Sequence, residues 1–194
     1  RESQSSEYGV GGGIVWDSTS TDEYAEALLK ARVLTESHPQ FSLLETMLWT
    51  PEEGFFLREK HIARLLDSAE YFDFSITRRG GVPPSEPPQE ILDTYLNEIS
   101  SKFTSPQRVR LLLNKLGHLE SEHAPFQSTD KPLSVQLANQ PINSNDVFLF
   151  HKTTLREMYD SMRKDFPDCD DVLLYNERGE LTEFTIGNLV VEMD

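Results

Sequence analysis

The chain has a single cysteine, Cys169, among its 194 residues, so no intrachain disulfide can form and a thiolate-rich zinc site is excluded. With one thiol and no disulfide framework, a cytoplasmic location is the expectation. No window approaches the roughly 18 uninterrupted apolar residues of a membrane span. The opening stretch, Arg1-Glu-Ser-Gln-Ser-Ser-Glu7, is polar and lacks the apolar region of a signal peptide. Basic residues are scarce too: 18 Lys and Arg stand against 33 Asp and Glu, for a formal net charge of −15. Such a chain repels a phosphate backbone, so no nucleic-acid partner is expected. It also lacks the basic patches that hold proteins to anionic membranes. A small anion stays open as a ligand, because one or two placed arginines dominate locally. Gly11-Gly-Gly13 has neither a Gly-Lys-Ser/Thr ending nor GxGxxG spacing, so it is no phosphate loop.

What is present suffices for a core: 37% hydrophobic and 26% charged residues, ordinary for a globular protein. Tyr8-Gly-Val-Gly-Gly-Gly-Ile-Val-Trp16 reads as a glycine-rich turn entering or interrupting a short strand, followed by a helix from about Thr21 to Leu34. A polar joint, Thr35 to Gln40, separates this from a second pattern. There, Phe41 to Trp49 and Phe55 to Leu57 form a hairpin about Pro51-Glu-Glu-Gly54. Helices are expected at about Glu59–Tyr71, Pro88–Phe103 and Thr154–Lys164, where apolar residues recur at helical spacing. Strands are expected at Arg108–Leu113, Leu133–Leu137, Val147–Phe150 and Asp171–Tyr175, with a last strand or loop over Glu183–Val191. Arg79 to Pro88 holds two glycines and four prolines and reads as a loop. His118-Leu-Glu-Ser-Glu-His123 also reads as a solvated loop, its histidines being wrongly spaced for a helical zinc site. Periodicity leaves both α/β and α+β open.

Three residues stand out chemically. Lys152 follows the apolar run Val147-Phe-Leu-Phe150 directly. A lysine leaving a buried strand is partly desolvated, which lowers its pKa and makes the neutral amine a nucleophile toward an aldehyde. The plain alternative is a lysine snorkelling at a strand end. Glu183, in Gly179-Glu-Leu-Thr-Glu-Phe-Thr-Ile-Gly-Asn188, can keep a pyridine nitrogen protonated, or be an exposed turn residue. Thr182, Thr185 and Asn188 beside it can hydrogen-bond a cofactor, although turns are rich in such residues anyway. Arg64 shares a helix face with His61 and suits bidentate phosphate binding, or is a surface arginine.

Together these segments are more specific than any one alone. Phe41-Ser-Leu-Leu-Glu-Thr-Met47, His61-Ile-Ala-Arg-Leu65, Lys152-Thr-Thr-Leu-Arg156 and Gly179 to Asn188 occur in the order seen in class IV aminotransferases, which the chain resembles. That family includes branched-chain and D-amino acid aminotransferases and 4-amino-4-deoxychorismate lyase. Leu43-Leu-Glu-Thr-Met-Leu-Trp49 and Ser68-Ala-Glu-Tyr-Phe-Asp-Phe74 look most like the lyase-type domain fused behind a chorismate-using synthase. Tyr8 to Ser18, Glu23-Tyr-Ala-Glu26 and Lys30-Ala31 resemble the C-terminal end of component I of para-aminobenzoate synthase.

The resemblance implies an α/β domain of fold type IV over 41–194, with a small subdomain at 41–145 and the start of a large one at 146–194. Residues 36–40 would be a linker, and 1–35 a remnant of a chorismate-binding domain. Lys152 would form the Schiff base with pyridoxal phosphate. Glu183 would contact the pyridine nitrogen and Arg64 the phosphate, with Thr185, Ile186 and Asn188 lining the cofactor. Thr46 falls where the lyases carry a threonine suited to relaying a proton. Glu26 matches a magnesium ligand of the intact synthase domain. The implied function is a lyase that turns aminodeoxychorismate into 4-aminobenzoate and pyruvate for folate synthesis. A homodimer and a glutamine amidotransferase subunit are the implied partners. The rivals are a branched-chain or D-amino acid aminotransferase and a truncated, non-catalytic domain. The family continues beyond Asp194 into a glycine-rich loop that completes the phosphate site. The 194-residue chain is therefore expected to hold the cofactor weakly and to be inactive alone.

Overall fold

A computed structural model describes residues 9–13, 16, 19–35, 39–77, 86–128 and 131–192, the side chains of 32–35 excepted. The chain divides into two compact units, Arg1–Gln40 and Phe41–Asp194. In the first, helix α1 spans Ser20–Thr35. Thr19 caps it, its hydroxyl oxygen accepting from the Asp22 N–H at 3.2 Å. Residues 9–13 of the expected glycine-rich turn and strand lie in neither helix nor strand and Trp16 is in a turn; Tyr8, Ile14 and Val15 lie outside the described residues. The Arg79–Pro88 loop is likewise described only from residue 86.

The second unit holds two sheets. Strand β1 (Leu43–Thr50) forms a hairpin with β2 (Gly54–Phe55), turned by Gly54 in the left-handed region at φ 71°. β3 (Gln107–Leu113) and β4 (Leu119–Pro125) complete an antiparallel sheet in the order β2-β1-β3-β4. The period of two is plain in β3: Gln107, Val109, Leu111 and Leu113 are buried while Arg108 is exposed. In β1, Leu43, Glu45, Met47 and Trp49 share the face that meets two helices. Helix α2 (Arg58–Tyr71) buries Ile62, Leu65, Ser68 and Ala69; α3 (Pro88–Ser100), with proline in its first turn, buries Ile91, Leu92 and Leu96. The apolar side chains among these form one core with Phe55, Phe74 and Ile76. Lys115 closes the end of α2, donating to the carbonyls of Phe72 and Asp73 at 2.5 and 2.6 Å.

The second sheet has the order β5-β6-β7, with β5 (Val135–Leu137) parallel to β6 (Asp171–Tyr175) and β7 (Leu181–Phe184) antiparallel to β6. It therefore begins before residue 145. Helix α4 (Glu157–Lys164) lies in the crossover from β5 to β6, and its Met162 packs with Ala138, Ile142, Val172 and Leu174 in a second core. The architecture is the mixed α/β one expected.

Two local expectations fail. Val147–Leu149 is a 3₁₀ turn rather than a strand, because the Asp146 side chain accepts from the Phe148 N–H at 2.9 Å and winds the chain. The expected loop at His118–His123 is largely strand β4: it pairs in register with β3 from Leu119↔Leu113 onward, one face to solvent. In addition, α4 starts at Glu157 rather than Thr154, since Thr153 and Thr154 are committed to pairing with β1.

Candidate functional site

That pairing positions Lys152. The Lys152 carbonyl accepts from the Leu44 N–H at 2.9 Å, and the Thr154 N–H donates to the Ser42 carbonyl at 2.9 Å. The Thr154 hydroxyl oxygen accepts from the Ser42 N–H at 3.0 Å. The lysine is thus fixed by its backbone to the β1 edge that β3 leaves open. Its amine has no hydrogen-bond or ion-pair partner among the described residues and faces a cleft. The walls come from Arg64 of α2, the Phe148–Thr153 segment, Arg156 and Tyr159 at the start of α4, and Glu183 to Asn188. Burial holds the Lys152 pKa below its usual value, and the Arg64 and Arg156 charges add to the effect.

Glu183, at the end of β7, accepts a hydrogen bond from the Tyr159 hydroxyl at 2.8 Å. Burial and the Glu183 charge both push the Tyr159 phenol pKa upward, so the phenol keeps its proton and the bond keeps its polarity. The second Glu183 oxygen has no partner among the described residues. Arg156 lies over the Tyr159 ring at 5.0 Å and donates to the Thr185 carbonyl at 2.5 Å. Tyrosine, glutamate and the following turn are thereby held as one group.

Arg64, which also lines the cleft, has half of its guanidinium committed. Its Nε donates to Glu45 Oε1 at 2.7 Å and its Nη2 to Oε2 at 2.5 Å; His61 Nδ1 is also 2.7 Å from Oε2. Glu45 is 1% exposed. Burial alone would raise its pKa, but the hydrogen bonds from Arg64 and His61 outweigh it and hold the carboxyl below its usual range. Arg64 Nη1 has no partner among the described residues.

The turn after β7 hangs on Asp171. This carboxylate accepts from the Thr185 hydroxyl, and from the N–H groups of Val172, Ile186 and Gly187 at 2.8, 3.2 and 3.1 Å. Arg163 is 3.3 Å away. Burial raises its pKa less than these bonds lower it, so the carboxyl sits below its usual value.

Of the residues singled out from the sequence, Lys152, Arg64, Glu183, Thr185, Ile186 and Asn188 line this one cleft. Thr185 is 2% exposed, and its hydroxyl and N–H are already spent on Asp171 and on the Val172 carbonyl. The Asn188 side chain is uncommitted among the described residues. Thr46, paired with Arg110 across β1 and β3, is not among the lining residues, and Thr182 is exposed outside the lining. Glu26 lies in the first unit, ion-paired with Lys30 at 2.6 Å. No three His, Cys, Asp or Glu side chains cluster as metal ligands among the described residues. No helix among them is long and apolar enough to cross a membrane.

Sequence reasoning passed over Glu45, Arg156, Tyr159 and Asp171 as individual site residues. Glu45 carried a usable signal, a carboxylate at a core-facing position between Leu43 and Met47, which must be paired. Arg156 and Tyr159 are three apart at a helix start, a weaker hint.

Comparison with known proteins bears on the family and the fold. The profile of the family "Amino-transferase class IV" matches residues 42–194. A Schizosaccharomyces pombe protein named "Putative aminodeoxychorismate lyase" is 30% identical over 154 residues, covering 76% of this chain and 61% of its own length. The chain thus spans less than two thirds of that relative. A Mesorhizobium loti crystal structure of a "Putative amino-acid aminotransferase" is 33% identical with a TM-score of 0.64, covering 75% of this chain and 67% of its own. A Legionella pneumophila "Putative 4-amino-4-deoxychorismate lyase" shares the fold at 14% identity with a TM-score of 0.57, covering 79% of this chain and 58% of its own.

Proposed function

This chain belongs to the class IV aminotransferase family, whose members use pyridoxal phosphate, and we propose that it carries the catalytic lysine of a 4-amino-4-deoxychorismate lyase. The observation that carries the reading is Lys152: an amine without a partner among the described residues, its pKa lowered by burial, in one cleft with Glu183 and Arg64. The side chains present fit the cofactor. Lys152 offers the amine for its aldehyde, the open oxygen of Glu183 suits its ring nitrogen, and Arg64 Nη1 and Asn188 are donors for its phosphate. When bound, pyridoxal phosphate supplies that aldehyde and a ring that accepts an electron pair.

Lys152 then has two tasks. Its depressed pKa gives the amine a larger neutral share than an ordinary lysine has, as a nucleophile requires. As a free amine it would take the proton from the ring carbon next to the substrate nitrogen. The ring carbon–oxygen bond breaks, the enolpyruvyl group takes up a proton and leaves as pyruvate, and the ring becomes aromatic as 4-aminobenzoate. Tyr159 holds Glu183 in place throughout; a proton relay by Thr46, which lies outside the cleft lining, rests on the residue resemblance alone. The likeness to the Schizosaccharomyces pombe protein supports the substrate assignment.

The 33% identity to the Mesorhizobium loti protein favours a second reading, an amino-acid aminotransferase, branched-chain or D-amino acid substrates being the family's own. The two differ in stoichiometry. The lyase releases pyruvate and 4-aminobenzoate from aminodeoxychorismate without a keto acid. Turnover that needs a keto-acid acceptor and yields no pyruvate would replace the first reading by the second. The assignment of residues 1–35 to the end of a chorismate-binding domain rests on the residue resemblance. With it go Glu26 as a magnesium ligand, an amidotransferase partner, a place in folate synthesis and, from the family, a homodimer. The lone cysteine supports the cytoplasm as the site of action.

A further inference from the structure

Lys152 is tethered on its C-terminal side by backbone pairing with β1. On its N-terminal side the tether is the side chain of His151. The imidazole Nδ1 is 3.0 Å from the Ser68 hydroxyl oxygen. Its ring centroid is 4.5 Å from that of Tyr71 and 4.7 Å from that of Phe72. Phe72 in turn stacks on Phe148 at 5.6 Å and 8°. Ser68 is 3% exposed, on the buried stripe of α2 with Ile62, Leu65 and Ala69. A hydroxyl on such a stripe needs a partner, and His151 is the one it has among the described residues. Burial lowers the His151 pKa, so a neutral ring can accept the hydroxyl proton. Ser68 lies one helical turn from Arg64, on the same side of α2.

We propose that His151 is a positioning residue that clasps the segment presenting Lys152 to α2, and so fixes the Lys152 amine relative to the Arg64 guanidinium. The inference rests on the reading that these two side chains hold one ligand. The segment before the lysine has only a 3₁₀ turn of its own, and Phe150 next to His151 is 70% exposed. The clasp therefore supplies what the short backbone element does not.

The test uses His151→Phe, which keeps an aromatic ring but loses the nitrogen, Ser68→Ala, and the double variant. Two quantities are measured: the pH profile of Lys152 acylation in cofactor-free protein, mapped by mass spectrometry against Lys102 and Lys164, and the dissociation constant for pyridoxal phosphate. Each single variant should move Lys152 labelling toward higher pH, as the amine gains water. Each should weaken cofactor binding about tenfold, and the double variant should do no more than either single. An unchanged Lys152 profile in both singles, with only a lower Tm, would reduce the contact to packing and overturn the proposal. Additive effects in the double variant would also overturn it, since one clasp cannot be lost twice. Borohydride reduction of the unsubstituted protein comes first. A label on a lysine other than Lys152 would refute the functional reading itself, before any variant is made, and the proposal with it.

Discussion

Glu45 and Arg64 meet in a two-bond pair, Nε to Oε1 at 2.7 Å and Nη2 to Oε2 at 2.5 Å, across the junction of β1 and α2. The carboxylate is buried and the guanidinium half-exposed, so the pair orients the arginine while leaving Nη1 open. Glu45→Gln keeps the shape but removes the charge that holds both Arg64 and His61. With one partner half in water, the loss should be about 2 kcal/mol. For a chain of this size that lowers Tm by roughly 4–8 °C in a thermal melt.

The same pair sets a pH dependence. The Glu45 carboxyl is held below its usual value of 4.5 in the folded chain. Its contribution is therefore complete above that usual value and is lost as pH falls through the lower folded value. Urea unfolding from pH 6 to pH 3 should show stability falling with acid. In Glu45→Gln that fall should be shallower. An identical slope in both proteins would mean other carboxylates carry it.

Lys152 should be the lysine that carries the pyridoxyl group after borohydride reduction of the cofactor-loaded protein, as read by peptide mapping. In the intact parent protein, Lys152→Ala should abolish both label and turnover, with Tm nearly unchanged, because its amine makes no hydrogen bond among the described residues.

Glu183→Gln keeps the size and the Tyr159 contact but removes the negative charge. A rate loss of about 10²–10⁴ is expected, the scale of one strong electrostatic contact. Tyr159→Phe should cost less, since Glu183 keeps its charge and loses only an orienting bond. Equal activity of Glu183→Gln and the unsubstituted protein would make Glu183 a turn residue.

Thr185→Val separates support of the turn from ligand contact. The Thr185 hydroxyl is bound to Asp171, so the substitution should lower stability by about 1–2 kcal/mol. Pyridoxal phosphate affinity should fall less than in Asn188→Ala, whose amide is uncommitted. The reverse order, found by absorbance titration, would show that Thr185 turns toward the ligand.

Much of this was legible in the sequence because local pattern and packing agree. The stripe Ile62, Leu65, Ala69 wrote α2, and the alternation Val109, Leu111, Leu113 wrote β3. The failures came where a side chain or a distant strand decided. Asp146 turned an apolar run into a 3₁₀ turn, and pairing with β3 drew the polar His118–His123 segment into β4. In the candidate site, Lys152, Glu183 and Arg64 were legible as separate residues. The buried carboxylates Glu45 and Asp171 were not recognised, since their partners lie far off in sequence and only the fold supplies them.

The pairing of Ser42 with Thr154 joins residues 112 apart, whereas the β3–β4 hairpin closes on its own doorstep. Loop closure over that distance costs about 2 kcal/mol more than over a hairpin, before any contact repays it. The lysine cleft should thus be assembled late, after the first sheet and its helices have condensed. A ribosome must deliver at least residue 154 before β1 can be finished on that edge. In pulsed hydrogen exchange during refolding, the amides of Leu44 and Thr154 should gain protection after those of β3, so this cleft is a record of completed folding.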